Sequence, residues 1–126
     1  MTNAVAARNK RNKRKGADWE IDFNQGMREE GFDIERLRLA GKDDEGDNVI
    51  REDDGYFLVI ENKNAKFEPG VFICEMEREA ANFAKHRGLD PAKVDGIVVV
   101  KRRGKSWRQA FVLTTVERYF ELGGEA

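Results

Sequence analysis

A carboxylate and an ammonium stand together where one apolar segment of the chain ends. Glu61-Asn62-Lys63 directly follows residues 56–60, which are apolar throughout. Alternate residues of a strand share a face, so Glu61 and Lys63 point one way and Asn62 the other. Either charge buried alone would be costly, whereas the two together with a metal ion form a stable arrangement. The alternative interpretation is an ordinary surface ion pair at a strand end.

Two further carboxylates are predicted to reach the same place. Asp47 precedes a short strand, 48–51, which the turn at 53–55 joins to the apolar segment 56–60. An antiparallel pair places Asp47 and Glu61 at the same end of the ladder. Glu20 lies at the margin of the apolar stripe of the first helix. Such oxygen donors suit Mg²⁺, with Mn²⁺ as a substitute, although each acid taken singly is also typical of surface charge.

The apolar pattern along the chain predicts an α/β fold with elements in the order α-β-β-β-α-β-β-α. The predicted elements are a helix from Asp18 to about Glu30, strands at 32–39, 48–51 and 56–60, a helix from about Phe72 or Glu75 to Arg87, strands at 94–101 and 107–114, and a short helix at 115–122. A helix that returns the chain between buried strands implies a mixed sheet with helices on both faces. Residues 16–126 are predicted to form one domain.

The segment before this domain is strongly basic. Residues 1–16 carry six basic side chains and no acidic ones, and they lack apolar periodicity, so residues 1–15 are predicted to be a flexible basic arm. Arg11, Arg14 and Lys15 are its candidate phosphate contacts, and a solubilising tail is the alternative.

Cysteine content and hydropathy restrict the compartment. The single cysteine, Cys74, excludes an internal disulfide and indicates a reducing, intracellular setting; its apolar neighbours predict a buried, inert thiol. No apolar stretch approaches the roughly 20 residues of a membrane span. We therefore expect a cytoplasmic protein that does not contact a membrane.

In the order of these residues the chain resembles the PD-(D/E)xK nuclease superfamily. Those nucleases carry a helix glutamate, an aspartate that opens a strand, and a D/E-x-K that ends the next strand. The segments 15–20 (KGADWE), 30–32 (EGF) and 46–47 (GD) are most similar to the small archaeal-type Holliday-junction resolvases. The resemblance covers roughly residues 8–115. It implies a restriction-endonuclease-like mixed central sheet of about five strands flanked by helices.

The resemblance also implies a Mg²⁺-dependent endodeoxyribonuclease that hydrolyses phosphodiester bonds at four-way (Holliday) or branched DNA junctions. Its catalytic residues would be Glu20, Asp47, Glu61 and Lys63. Asp47, Glu61, the Asn62 carbonyl and, directly or through water, Glu20 would ligate the metal. Lys63 would orient the attacking water and offset charge that develops on the phosphate.

Basic residues outside this group are predicted to hold the DNA backbone. Arg36, Arg38 and Lys42 flank the predicted site, while Arg102 and Arg103 belong to a basic turn for which a solvated hairpin tip is the alternative. Cutting a two-fold symmetric junction in two strands requires two active sites, so a homodimer is expected. The apolar residues of the last helix are predicted to pack in the core, with a dimer interface as the alternative.

Two departures from the resolvases keep other functions open. Gly46 stands at the proline position of the superfamily name, and residues 40–46 lack the serine that resolvases commonly carry there. One alternative is therefore another PD-(D/E)xK nuclease of nicking, exonucleolytic or restriction-like type. Another is a noncatalytic nucleic-acid-binding protein. The expected location is at the nucleoid, or at viral DNA in an infected host cell.

Overall fold

The structure of the protein, a computed structural model, describes residues 3–38 and 43–123, with side chains described from residue 16 onward. Three helices and five strands follow one another in the predicted order. They are α1 (Asn3–Glu29), β1 (Ile34–Arg36), β2 (Asn48–Arg51), β3 (Phe57–Lys63), α2 (Pro69–His86), β4 (Val94–Val100), β5 (Phe111–Leu113) and α3 (Val116–Tyr119).

The strands form one mixed sheet in the order β1-β2-β3-β4-β5. β1, β2 and β3 are joined as antiparallel neighbours, β4 lies parallel to β3, and β5 returns antiparallel to β4. A parallel pair requires a crossover connection, which α2 provides between β3 and β4. The prediction of an α/β fold with a mixed sheet of about five strands flanked by helices is confirmed.

Helix α1 covers one face of the sheet. Its residues Trp19 and Phe23 are buried against Ile50, Ile60 and Val99, which alternate with residues of the opposite face along their strands. The stripe predicted for this helix is therefore its core-facing side. Because Asn62 shares the Ile60 face, its side chain also points toward α1.

Helix α2 covers the other face. Its residues Phe72, Met76, Ala80, Phe83 and Ala84 are buried, and they recur at helical spacing along one side. They pack against Val49, Val59, Val94, Val98 and Val100. Glu61 and Lys63 share the Val59 face and are therefore directed toward α2.

Four predictions on element limits and burial are corrected by the structure. The first helix begins at Asn3 instead of Asp18, so the backbone of residues 3–15, predicted as a flexible arm, is helical. Alanine, lysine and arginine favour helix without apolar periodicity, which is why the pattern missed it. The division into arm and domain stays a prediction. Among the described residues no helix has the length and apolar character needed to cross a membrane.

The other corrections concern β1, Cys74 and the last helix. β1 is limited to Ile34–Arg36, shorter than the predicted strand at 32–39. Helix α2 begins at Pro69, which places Cys74 on its solvent side, so the thiol is exposed and not buried. The apolar residues of the C-terminal segment are also exposed instead of packed in the core, since α3 is held to Glu77 and Asp95 by the charged side chain of Arg118. The exposed residues are Phe111, Val112, Val116, Tyr119, Phe120 and Leu122.

Candidate functional site

The hairpin of β2 and β3 brings Asp47 and Glu61 to the same end of the sheet. Asn48 pairs with Ile60 across the ladder, and the backbone N–H of Asp47 donates to the Ile60 carbonyl at 3.0 Å. Asp47 Oδ2 accepts a hydrogen bond of 2.7 Å from the backbone N–H of Asn62. The carboxylate that opens one strand is thus held beside the carboxylate that ends the next.

Helix α2 adds a third carboxylate, that of Glu79. The Glu61 carboxyl interacts with Asp47 on one side and with Glu79 on the other. Glu61 is 6% and Glu79 is 2% exposed. We call Asp47, Glu61 and Glu79 the acid cluster.

Burial and mutual repulsion disfavour the charged forms of the acid cluster. Burial is the largest influence on each carboxyl and raises its pKa; the neighbouring Glu61 acts in the same direction on Asp47, and Glu79 does so on Glu61. The pKa of Asp47 lies far above its ordinary value, that of Glu61 rises to about 9, and that of Glu79 to about 7. A bound cation would reverse this balance, because it stabilises the ionised forms.

Two oxygen atoms of the acid cluster have no hydrogen-bond donor. Glu61 Oε2 and Glu79 Oε2 are buried and unpartnered among the residues that the structure describes. One carboxylate oxygen each from Glu61, Glu75 and Glu79 lies within 4.8 Å of the other two. Buried carboxylates without partners are costly, and converging oxygen donors of this kind are the ligands that Mg²⁺ and Mn²⁺ prefer. The residues present therefore fit a divalent cation.

Lys63 lies beside the acid cluster on the same face of β3. Its Nζ is 2.5 Å from Glu75 Oε2 and 3.8 Å from Glu61 Oε1, and it rests over the Phe72 ring. Partial burial acts to lower the pKa of Lys63, but the hydrogen bond to Glu75 and the charge of Glu61 outweigh it, so the pKa is raised overall. The side chain is therefore a fixed ammonium at neutral pH, suited to stabilising negative charge and not to accepting a proton.

Three buried asparagines connect α1 to the strands that carry the site. Asn24 Nδ2 donates to Asn48 Oδ1 at 2.8 Å, and Asn48 Nδ2 donates to Asn62 Oδ1 at 2.6 Å. We call this chain the asparagine ladder. The N–H and C=O of one strand residue point to the same side, so the Asn62 carbonyl, like its N–H, faces Asp47. The role of the Asn62 carbonyl as a metal ligand stays a prediction.

Glu20 lies on α1, across the sheet from Glu61. Its Oε2 is 3.2 Å from Arg36 Nη2, and both side chains are partly buried. The charge of Glu20 raises the pKa of Asp47, but only behind burial and Glu61 in size. The structure therefore brings Asp47, Glu61 and Lys63 together and places Glu20 nearby, paired with Arg36.

The segment that enters the site is tied to α2. Asp44 Oδ1 accepts from the backbone N–H of Gly46, and buried Glu45 pairs with His86 at 3.0 Å and Arg87 at 3.4 Å. Gly46 has a φ of 100°, and a Cβ there would lie 2.7 Å from Val59 Cγ1. A left-handed backbone and a closely packed neighbour thus require glycine directly before Asp47.

The predicted DNA-binding residues have different surroundings. Arg36 is engaged by Glu20, whereas Arg38 and Arg103 are exposed. Arg102 donates to the Gln109 carbonyl and lies over the Phe111 ring. The strand that leads to Arg102 ends beside Lys63, since Lys101 N donates to Lys63 O at 2.9 Å. Lys42 and the side chains of Arg11, Arg14 and Lys15 lie outside the described part of the chain.

Sequence reasoning missed Glu75, Glu79 and the asparagine ladder. Glu79 carried a signal, because it lies three residues after Met76 and four before Phe83, inside the apolar stripe of α2. A carboxylate in such a stripe is rarely buried without a partner. Asn24 lies three residues before Met27, at the edge of the apolar stripe of α1, whereas nothing in its spacing distinguishes Glu75 from a surface residue.

Comparisons with known proteins leave the site to be judged on its own geometry. No protein-family model, no curated protein and no solved structure matches the chain.

Proposed function

We propose that the protein is a metal-dependent DNA endonuclease with a restriction-endonuclease-like fold, acting on four-way or branched DNA junctions. The observation that carries the proposal is the meeting of Asp47, Glu61 and Lys63 at one end of the sheet, with two buried carboxylate oxygens lacking donors. The sheet supports the restriction-endonuclease-like fold. Three antiparallel strands, a crossover helix and a parallel fourth strand place the acids and the lysine at one edge.

The residues at this edge divide the work of phosphodiester hydrolysis. Asp47, Glu61 and the Asn62 carbonyl would hold Mg²⁺, with Mn²⁺ as a substitute. When bound, a divalent cation makes water a better nucleophile and offsets charge on the scissile phosphate. The Lys63 ammonium, fixed by Glu75, would orient the attacking water and stabilise the added negative charge of the transition state.

Basic residues that precede Glu20 on α1 and that follow β4 support a DNA substrate. Helix α1 continues from Glu20 back to Asn3 at about 1.5 Å per residue, so the basic residues of the segment 8–15 lie upstream on the helix that passes the site. Arg102 and Arg103 follow the end of β4 beside Lys63. These positions are suited to phosphate contacts that orient DNA over the acid cluster.

The junction preference requires two active sites, and therefore two copies of the chain. The exposed apolar side chains of β5 and of the segment that follows it support a homodimer. Several large apolar side chains exposed close together in sequence are typical of an interface. The exposed edge of β5 is a second feature that a partner strand would satisfy.

The test is a cleavage assay on a labelled four-way junction beside a linear duplex of the same sequence, with Mg²⁺ or with EDTA. We expect paired nicks on the junction only, in the presence of metal. Lys63→Ala and Asp47→Asn should abolish cleavage while junction binding is retained. Lys66→Ala is the matched control, since Lys66 follows the same strand but is exposed.

The possible outcomes separate the proposed function from its alternatives. Equal cutting of junction and duplex would refute the junction preference and leave a nuclease of another specificity. Binding without cutting under Mg²⁺ or Mn²⁺ would refute catalysis and identify a nucleic-acid-binding protein.

A further inference from the structure

We infer that Glu79 of α2 is the third carboxylate ligand of the cation, and that Glu79, not Glu20, completes the metal centre. The inference rests on the proposed function, because it concerns the same cation. The added ligand comes from α2. The helix glutamate that the sequence indicated, Glu20, lies on α1, which covers the opposite face of the sheet.

The burial of Glu79 is the first observation. With 2% of its surface exposed, Glu79 is among the most buried residues of the structure, and its Oε2 has no hydrogen-bond donor among the described residues. None of the described arginine, lysine or histidine side chains forms an ion pair with it. The favourable influences on this carboxylate are the neighbouring Glu61 carboxyl and the nearby charge of Lys63, and neither supplies a donor to Oε2.

The direction of the Glu79 side chain is the second observation. A Cβ at Gly46 would lie 3.6 Å from Glu79 Oε2, so this oxygen faces the backbone immediately before Asp47. The same carboxyl interacts with Glu61, whose Oε2 is likewise buried and unpartnered. One carboxylate oxygen each from Glu61, Glu75 and Glu79 lies within 4.8 Å of the other two, and Asp47 adjoins Glu61 on its other side. A cation between Glu61 and Glu79 would satisfy both orphaned oxygens.

Glu20 is differently engaged. It lies on the helix that covers the Ile60 face, whereas Glu61 points to the α2 face. Arg36 holds its Oε2 at 3.2 Å, and a quarter of its side chain is exposed. Glu20 therefore already has a cationic partner, while Glu79 has none. Lys63 does not fill that role, because its ammonium contacts Glu75 most closely.

The consequence is a cation site whose carboxylate ligands are all in place without DNA, with water in the remaining coordination positions. Three carboxylates supply enough hard ligands to hold a divalent cation before DNA arrives. Removing one of them should weaken cation binding by about 10- to 100-fold, as the loss of supporting residues does at other metal sites.

The experiment is a calorimetric titration of the full chain with Mn²⁺ in the absence of DNA. We expect Glu79→Gln to weaken Mn²⁺ binding at least about ten-fold. Glu20→Gln should bind like the wild type, as should the matched control Glu77→Gln, whose carboxylate is exposed on the same helix. If Glu79→Gln fails to fold, Glu79→Asp keeps the charge with a shorter reach and should also bind more weakly.

Three results would overturn the inference: unchanged binding by both Glu79 variants, an equal loss in Glu20→Gln, or a wild type that binds no Mn²⁺. The assay uses no DNA, so its failure is distinct from that of the proposed function. A protein whose Mn²⁺ binding depends on Glu79, yet which cuts no DNA, would uphold the metal centre and refute the nuclease.

Discussion

Replacing Gly46 with alanine should destabilise the folded protein by about 2–5 kcal/mol. Two separate costs add up at this position. A residue other than glycine at a φ of 100° costs about 1–2 kcal/mol in the backbone. The new Cβ would also lie 2.7 Å from Val59 Cγ1, and such overpacking of a buried side chain typically costs about 1–3 kcal/mol.

Gly104→Ala separates the two costs. Gly104 has a φ of 73°, but nothing lies within 4 Å of a Cβ built there, so only the backbone cost of about 1–2 kcal/mol applies. The packing cost is measured by a double-mutant cycle with Val59→Ala. If the Gly46 Cβ meets Val59, the two substitutions together should cost about 1–3 kcal/mol less than the sum of the single costs.

The measurement is urea unfolding, monitored by the fluorescence of buried Trp19. The samples are the wild type, the three single variants and the double variant Gly46→Ala with Val59→Ala. The same samples should be titrated with Mn²⁺, because Gly46 directly precedes Asp47 and a displaced backbone should weaken Mn²⁺ binding at the proposed site. Equal destabilisation by Gly46→Ala and Gly104→Ala, or strict additivity with Val59→Ala, would refute the close packing of Gly46 against Val59.

Further predictions concern protons, the asparagine ladder, Lys63 and the exposed apolar surface. Burial holds the pKa values of the acid cluster above those of the same groups in the unfolded chain, so the native state binds more protons. In EDTA, the free energy of unfolding should therefore fall as pH rises from about 6 to 9. The slope should be about 1.4 kcal/mol per pH unit for each group that is protonated in the native state. Saturating Mn²⁺ should flatten that decline, and a flat profile in EDTA would contradict the burial argument. Asn48→Ala leaves two buried amides unpaired and should cost about 2–4 kcal/mol in urea unfolding; a cost under about 1 kcal/mol would mean that the ladder does not hold α1. Glu75→Gln should lower the cleavage rate because Lys63 loses its closest partner, and an unchanged rate would show that Lys63 needs no positioning. Tyr119→Ser with Phe120→Ser should convert a dimer to a monomer in light scattering at unchanged stability, since both rings are exposed; a wild-type monomer would exclude this interface.

The sequence by itself determined the type of sheet and the strand-end part of the site. Alternation and apolar runs are local properties, and they were enough to place the helices and strands in order and to identify Glu61 and Lys63 on one face of β3. The turn at Asp53–Gly55 then required an antiparallel hairpin, which brings Asp47 to Glu61 whatever the rest of the chain does. These relations depend on residues within one hairpin, so the pattern alone could predict them.

The tertiary structure decided which helix completes the acid cluster. Glu20 lies at the margin of the apolar stripe of α1, and Glu79 lies inside the apolar stripe of α2. Local spacing does not show which face of the sheet each helix covers. Packing placed α2 on the Glu61 face and α1 on the Asn62 face, so Glu79 meets the acids while Glu20 meets Arg36. The physical reason is that a strand presents its two faces to different helices, and only the arrangement of those helices assigns a partner to each buried charge.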